Sequence, residues 1–263
     1  MALSAAGFTL IAGGDQTKAR PLLEQSLPLY RQAGDTLAGL AAAALGHLLA
    51  AQHEDARASE VLEQTLGQLR EAGTGQLTGR ERVQHLLDVA LVNNFLGQIQ
   101  LGQGALERAA RHFTDGLSAA RRAPDRFTIL VSLYDLALSR QVQGDLAEAT
   151  RLLKQGLSLA AEAGDEPSAA YYLEALATVA EQQDNPDRAV CLLAAARALL
   201  QARGSGWLHG YVSRAPRDAG LLAALRSRAG DAAFEQAWTR GCSLAGAGAV
   251  QYTLEQAPSA DSG

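Results

Sequence analysis

The sequence predicts an all-α fold, a right-handed superhelical solenoid of about five helical hairpins closed by a short C-terminal helical cap. A small residue recurs at Gly7, Gly46, Gly97, Ala137 and Ala177, at intervals of 39, 51, 40 and 40, and an alanine follows each twelve positions later, at Ala19, Ala58, Ala109, Ala149 and Ala189. Sixteen positions after each anchor stands a large apolar residue, Leu23, Leu62, Phe113, Leu153 or Leu193. The alanine and the bulky residue lie one turn apart on one helical face, where the small one lets helices approach and the large one fills the gap. Ile and Val together number only thirteen, so the 48% apolar content, mostly Ala and Leu, holds little of the β-branched material that sheets use.

In chain order, the apolar stretch within Met1 to Gly14 reads as the first helix of the first hairpin. It lacks the basic n-region of a signal peptide. Turns follow seven to eight positions after each anchor, at Gly14-Asp15, His53-Glu54, Gly104-Ala105, Gly144-Asp145 and Asp184-Asn185. All but one supply Gly, Asp or Asn for a left-handed residue or a cap; His53-Glu54 is the poor turn, with Asp55 its nearest cap. Gln32-Ala33-Gly34-Asp35 and Glu162-Ala163-Gly164-Asp165 pair a C-cap glycine with the next N-cap aspartate. The units then span about 1–34, 35–73, 79–123, 124–164 and 165–203. The long second interval comes from the glycine-rich loop Gly73 to Gly79 and an extended first helix in unit three. Pro124, Pro167 and Pro186 fit first helical turns, whereas Pro28 predicts a kink inside a helix. After Arg203 the period stops: a loop at Gly204 to Trp207 leads into three short helices near 216–228, 231–242 and 247–256, a cap over 204–256, and a disordered tail at 257–263.

A formal charge of -5 gives no basic field, so direct nucleic-acid binding is not expected. Cys191 and Cys242 lack CxxC spacing, and so few cysteines fit a reducing, cytoplasmic setting. No stretch approaches the roughly 20 apolar residues of a membrane helix.

The anchor, turn and alanine pattern over about residues 1–203 resembles the tetratricopeptide repeat (TPR) in its longer variety, as in the sensor arms of large ATP-dependent bacterial activators. The usual tryptophan and tyrosine of the first helix are mostly replaced, by Leu10 and Ala50 near the tyrosine slot. The run Ala229 to Gly241, with Phe234, Ala237, Trp238 and Gly241 followed by Leu244 and a short final helix, resembles the closing segment of actinobacterial LuxR-type and related ATPase-plus-repeat (STAND-like) transcriptional regulators. That resemblance implies a nucleotide-binding domain before the repeats and a DNA-binding domain beyond one end; neither lies within this sequence. It implies that the chain is the C-terminal part of such a regulator or a stand-alone relative.

No GxxxxGK[ST] phosphate loop, HExxH or GxSxG elbow is present, so no catalytic residues, metal or cofactor are expected. Gly246-Ala247-Gly248 reads as a helix-start loop. Binding residues follow from repeat geometry, since the first helix of each unit lines the inner curve and equivalent positions form ladders. Three before the anchor stand Asn94, Tyr134 and Glu174; one after it stand His47, Gln98, Leu138 and Thr178; Gln141, Tyr171 and Glu181 neighbour them. This mix of amide, phenol, imidazole and carboxylate suits a small polar or aromatic effector, or a peptide or protein, held in the concave groove. Trp207, His209 and Tyr211 are expected to seal the last repeat, and Phe234 and Trp238 to anchor the terminal helices. The leading expectation is a non-catalytic effector-sensing arm of a transcriptional regulator. A scaffold or dimerisation module is the second, leaving a homodimer open, and an enzyme using the groove is the third.

Overall fold

The computed structural model describes residues 16–33, 37–73, 75–203, 219–244 and 246–255. Among these there are twelve helices and no strand: α1 Gln16–Ala33, α2 Leu37–Ala51, α3 Asp55–Ala72, α4 Gly79–Gly102, α5 Leu106–Arg122, α6 Arg126–Val142, α7 Leu146–Glu162, α8 Glu166–Gln182, α9 Pro186–Arg203, α10 Ala219–Ala229, α11 Asp231–Ser243 and α12 Gly246–Glu255. The anchor at Gly7, the Gly14-Asp15 and Gly34-Asp35 junctions, Leu10, the Gly204 to Trp207 loop, the Trp207, His209, Tyr211 cluster, Pro216 and the tail lie outside the described residues. No described helix is long and apolar enough to cross a membrane.

One backbone device makes five of the connections. His53, Gly104, Gly144, Gly164 and Asp184 each adopt positive φ, and in each case the following amide donates to a carbonyl five residues back: Glu54 to Leu49, Ala105 to Gln100, Asp145 to Arg140, Asp165 to Ala160 and Asn185 to Ala180, all at 2.9 Å. These are six-to-one Schellman closures, which satisfy the last carbonyls of one helix while turning the chain into the next. The supposedly poor turn is built the same way as the glycine turns. There Glu54 is the N-cap and Asp55 is already helical, so the anticipated Asp55 cap is not used. Asp145, Asp165 and Asn185 then cap the following helices by accepting the amides of Glu148, Ser168 and Arg188. Thr78 and Glu81 form a capping box at the start of α4. α1 runs unbroken through Pro21 and Pro28.

The chain divides into two compact units, residues 1–135 and 136–263. In the first, α2 packs on α1, α3 and α4, and α4 packs on α3 and α5. The anchors do what their spacing requires. A Cβ added to Gly46 would lie 2.8 Å from Leu62, and one on Gly97 would lie 2.4 Å from the Phe113 ring, each the bulky residue sixteen positions on. Ala19, Ala58 and Ala109, with Leu23, Leu62 and Phe113, are fully buried.

In the second unit α8 packs on α7 and α9, and the terminal helices return onto this pair: α10 and α11 onto α9, α12 onto α7 and α9. Gly241 permits the α9–α11 approach, since a Cβ there would lie 2.2 Å from the Cys191 carbonyl oxygen. Phe234 is buried and Trp238 half-buried, stacked at 5.7 Å. Arg226 covers the Phe234 ring at 4.2 Å and Arg197 the Trp238 ring at 5.8 Å.

Candidate functional site

In the first unit the anticipated recognition residues come from α2, α4 and the middle of α6. His47 and Gln98, the positions after the anchors, are half-buried and reach the surface; Asn94 and Tyr134, three before the anchors, are 1% and 5% exposed. Asn94 is consumed in the packing of helices. Its amide nitrogen donates to Ser132 Oγ at 2.9 Å, and the same pair is within reach in the reverse sense at 3.2 Å. A buried amide bonded to a buried hydroxyl fixes the register of α4 against α6 and leaves Asn94 little surface to offer a guest.

One turn further along α4, Gln98 Nε2 donates to Asp135 Oδ2 at 3.1 Å. Asp135, which the sequence reading did not single out, is 6% exposed. Burial raises its carboxyl to about 7, against the opposing pull of the Gln98 hydrogen bond. Nothing in the sequence distinguished it from a solvated helix-face carboxylate; its position two before an anchor is held by Phe95 in the preceding repeat. His47 meets that Phe95 edge-on at 5.6 Å between ring centroids. The surface of this unit therefore presents an imidazole, backed by the buried Phe95 ring, and an amide tied to a buried carboxyl.

In the second unit Leu138 and Thr178 are again half-buried, as is Glu174, while Gln141 is 8% and Tyr171 0% exposed. Thr178 Oγ1 donates to the Glu174 carbonyl one turn back, at 3.2 Å. Tyr171 belongs to the packing between helices. Glu181 meets Arg228 of α10. The position after the anchor is thus partly exposed in all four described repeats, at His47, Gln98, Leu138 and Thr178; the position three before it is sealed at Asn94 and Tyr134. Among the described residues no group of three His, Cys, Asp or Glu converges as metal ligands would.

Neither a family model nor a curated protein matches the chain. Solved structures do. A putative kinesin light chain from Podosopora anserina with nearly identical TPR-like repeats aligns at a TM-score of 0.57 and 20% identity over 77% of this chain and 95% of that one. A point-substituted form of it gives 0.59 and 19% over 76% and 94%. The signal transduction ATPase with numerous domains (STAND) and a tetratricopeptide repeat sensor from Pyrococcus horikoshii gives 0.59 and 15% over 91% of this chain and 35% of that one. At these identities the likeness establishes the fold: an all-α TPR-like helical-repeat protein.

Proposed function

We propose that the chain is a recognition module of a bacterial regulatory protein, and that the position after each anchor, His47 and Gln98 in the first unit and, separately, Leu138 and Thr178 in the second, contacts a weakly charged partner or effector. The observation that carries this is the common partial exposure of His47, Gln98, Leu138 and Thr178. The same repeat position is partly exposed in each described repeat. In this reading Asn94 and Tyr134 support it in the first unit, and Gln141, Tyr171 and Glu174 flank it in the second.

In the Pyrococcus horikoshii protein the tetratricopeptide repeats are the sensor of a signal-transduction ATPase, and the Phe234 to Gly241 run resembles the ending of LuxR-type regulators. Together these support a sensing role in transcription regulation over simple scaffolding. A guest that stiffens or bends the repeat stack would bias whatever domain is attached to it.

The test is a thermal-shift and calorimetric screen of metabolites and peptides against the full 263-residue chain, followed by the best binder against His47→Ala combined with Gln98→Ala. Binding should fall by about tenfold or more, the cost of roughly two lost contacts. A binder with unchanged affinity for the double variant removes the surface from consideration.

A further inference from the structure

A second site lies within the first unit. The C-terminal ends of α3 and α5, the loop after α3 and the first half of α4 enclose an open cleft of about 500 Å³. Its rim carries Arg70 from α3, Arg82 from α4 and Arg122 from α5, against a single carboxylate, Asp115. Its wall is apolar: Leu86 belongs to the buried cluster of Ala90, Ala119, Ala120 and Ala123, with Val89 packed beside it.

Six arginines, Arg20, Arg57, Arg151, Arg226, Arg228 and Arg240, each meet a carboxylate. Among the described residues none within ion-pair range serves Arg70, Arg82 or Arg122. Helix ends account for two of them, since Arg70 and Arg122 lie in the last turns of α3 and α5, where the helix dipole favours a cation. Arg82 lies at the opposite end, four residues into α4, where that dipole opposes it.

The field is felt inside the cleft. His85, half-buried on its wall, is held below its usual range, first by burial and then by the Arg122 charge. Gly73 lets that ring lie close, because a Cβ there would be 2.8 Å from His85 Nε2. Guanidinium groups match the oxygens of phosphates and carboxylates, and an apolar wall takes the body that carries them.

We infer that the cleft between α3, α4 and α5 binds a small organic anion, an apolar or aromatic body bearing a phosphate or carboxylate, through Arg70, Arg82 and Arg122. A phosphate monoester uses all three guanidinium groups more fully than a monocarboxylate does.

The experiment is calorimetric titration of the full chain with phenyl phosphate, benzoate and uncharged benzyl alcohol at low salt. Phenyl phosphate is expected to bind about tenfold or more tightly than benzyl alcohol, with benzoate between them, and to weaken as salt is added. Arg82→Gln and Arg122→Gln, both at exposed positions, should each weaken phenyl phosphate by about tenfold, the loss of one charge-assisted contact. They should leave the helical circular dichroism and any binding lost in His47→Ala with Gln98→Ala unchanged. The proposal is overturned if phenyl phosphate binds no better than benzyl alcohol, or if the Arg70→Gln, Arg82→Gln, Arg122→Gln triple variant binds it as well as the parent. Benzoate as tight as phenyl phosphate would keep the anion site and assign it to carboxylates.

Discussion

Gly116 and Gly156 occupy the same place in successive repeats, yet they face opposite chemistry. In the first unit a Cβ on Gly116 would lie 2.4 Å from Asn94 Oδ1, on the amide that pairs with Ser132; in the second, one on Gly156 would lie 2.1 Å from the ring of the fully buried Tyr172. One spacing therefore supports two kinds of contact between helices. Where the glycine admits an amide, the helices are registered by directional hydrogen bonds, which specify more than they stabilise. Where it admits a ring, the contact is a large area of apolar packing. The polar version also places a titratable carboxyl, Asp135, in the interior, and so makes the first unit responsive to pH.

The largest effect that would sharpen this contrast is at the aromatic contact. Tyr172→Ala should cost about 3–5 kcal/mol, as for other buried aromatic truncations, measured by chemical denaturation. A loss near that expected for a surface residue would break the comparison.

Next comes the pH response. The folded carboxyl of Asp135 holds its proton up to about 7, whereas an unfolded aspartate releases it near 4. Between those values the folded state binds the extra proton, so the contribution present below about pH 4 declines as pH rises through 7, by roughly 2–4 kcal/mol. Asp135→Asn should flatten that slope and make the variant the more stable chain at pH 8. A variant with the parent's slope would show that another group sets it.

Smaller still, Ser132→Ala should cost about 1–3 kcal/mol by leaving the buried Asn94 amide unpaired. His53→Gly should gain about 0.5–1 kcal/mol, because His53 carries in a left-handed turn the steric cost that Gly104 and Gly144 avoid. Equal stability for His53→Gly and the parent would mean that the His53 side chain returns what its backbone loses.

The repeat was legible in the sequence because its determinants are local and periodic. Gly97 and Phe113 are sixteen apart and touch; Gly144, Asp145 and Asp165 do in the turns what their types suggest. Three short helices are expected after the period stops, the last two along the run whose resemblance the sequence carries, and Phe234, Ala237 and Ala249 on them are buried. Less was legible in the site. A ladder three before the anchor and a ladder one after it share a helical face, and only the spacing of α4 from α6 seals Asn94 while leaving Gln98 partly open. Asp135 takes its character from a neighbour 37 positions away. Arg70, Arg82 and Arg122 come from three helices with no common repeat position, so the cleft they line has no signature along the chain.

Thiol labelling tests the central claim most directly: that repeats are stacked with the position after each anchor open and the position three before it sealed. In a Cys242→Ser background, which removes the exposed native thiol, single cysteines would replace His47, Gln98, Leu138, Thr178, Asn94 or Tyr134, and maleimide reactivity would be followed under native conditions. The account predicts that cysteines at 47, 98, 138 and 178 react readily, and that those at 94 and 134 react only on unfolding. Fast labelling at 94 and 134 with protection at 47 and 98 would contradict it.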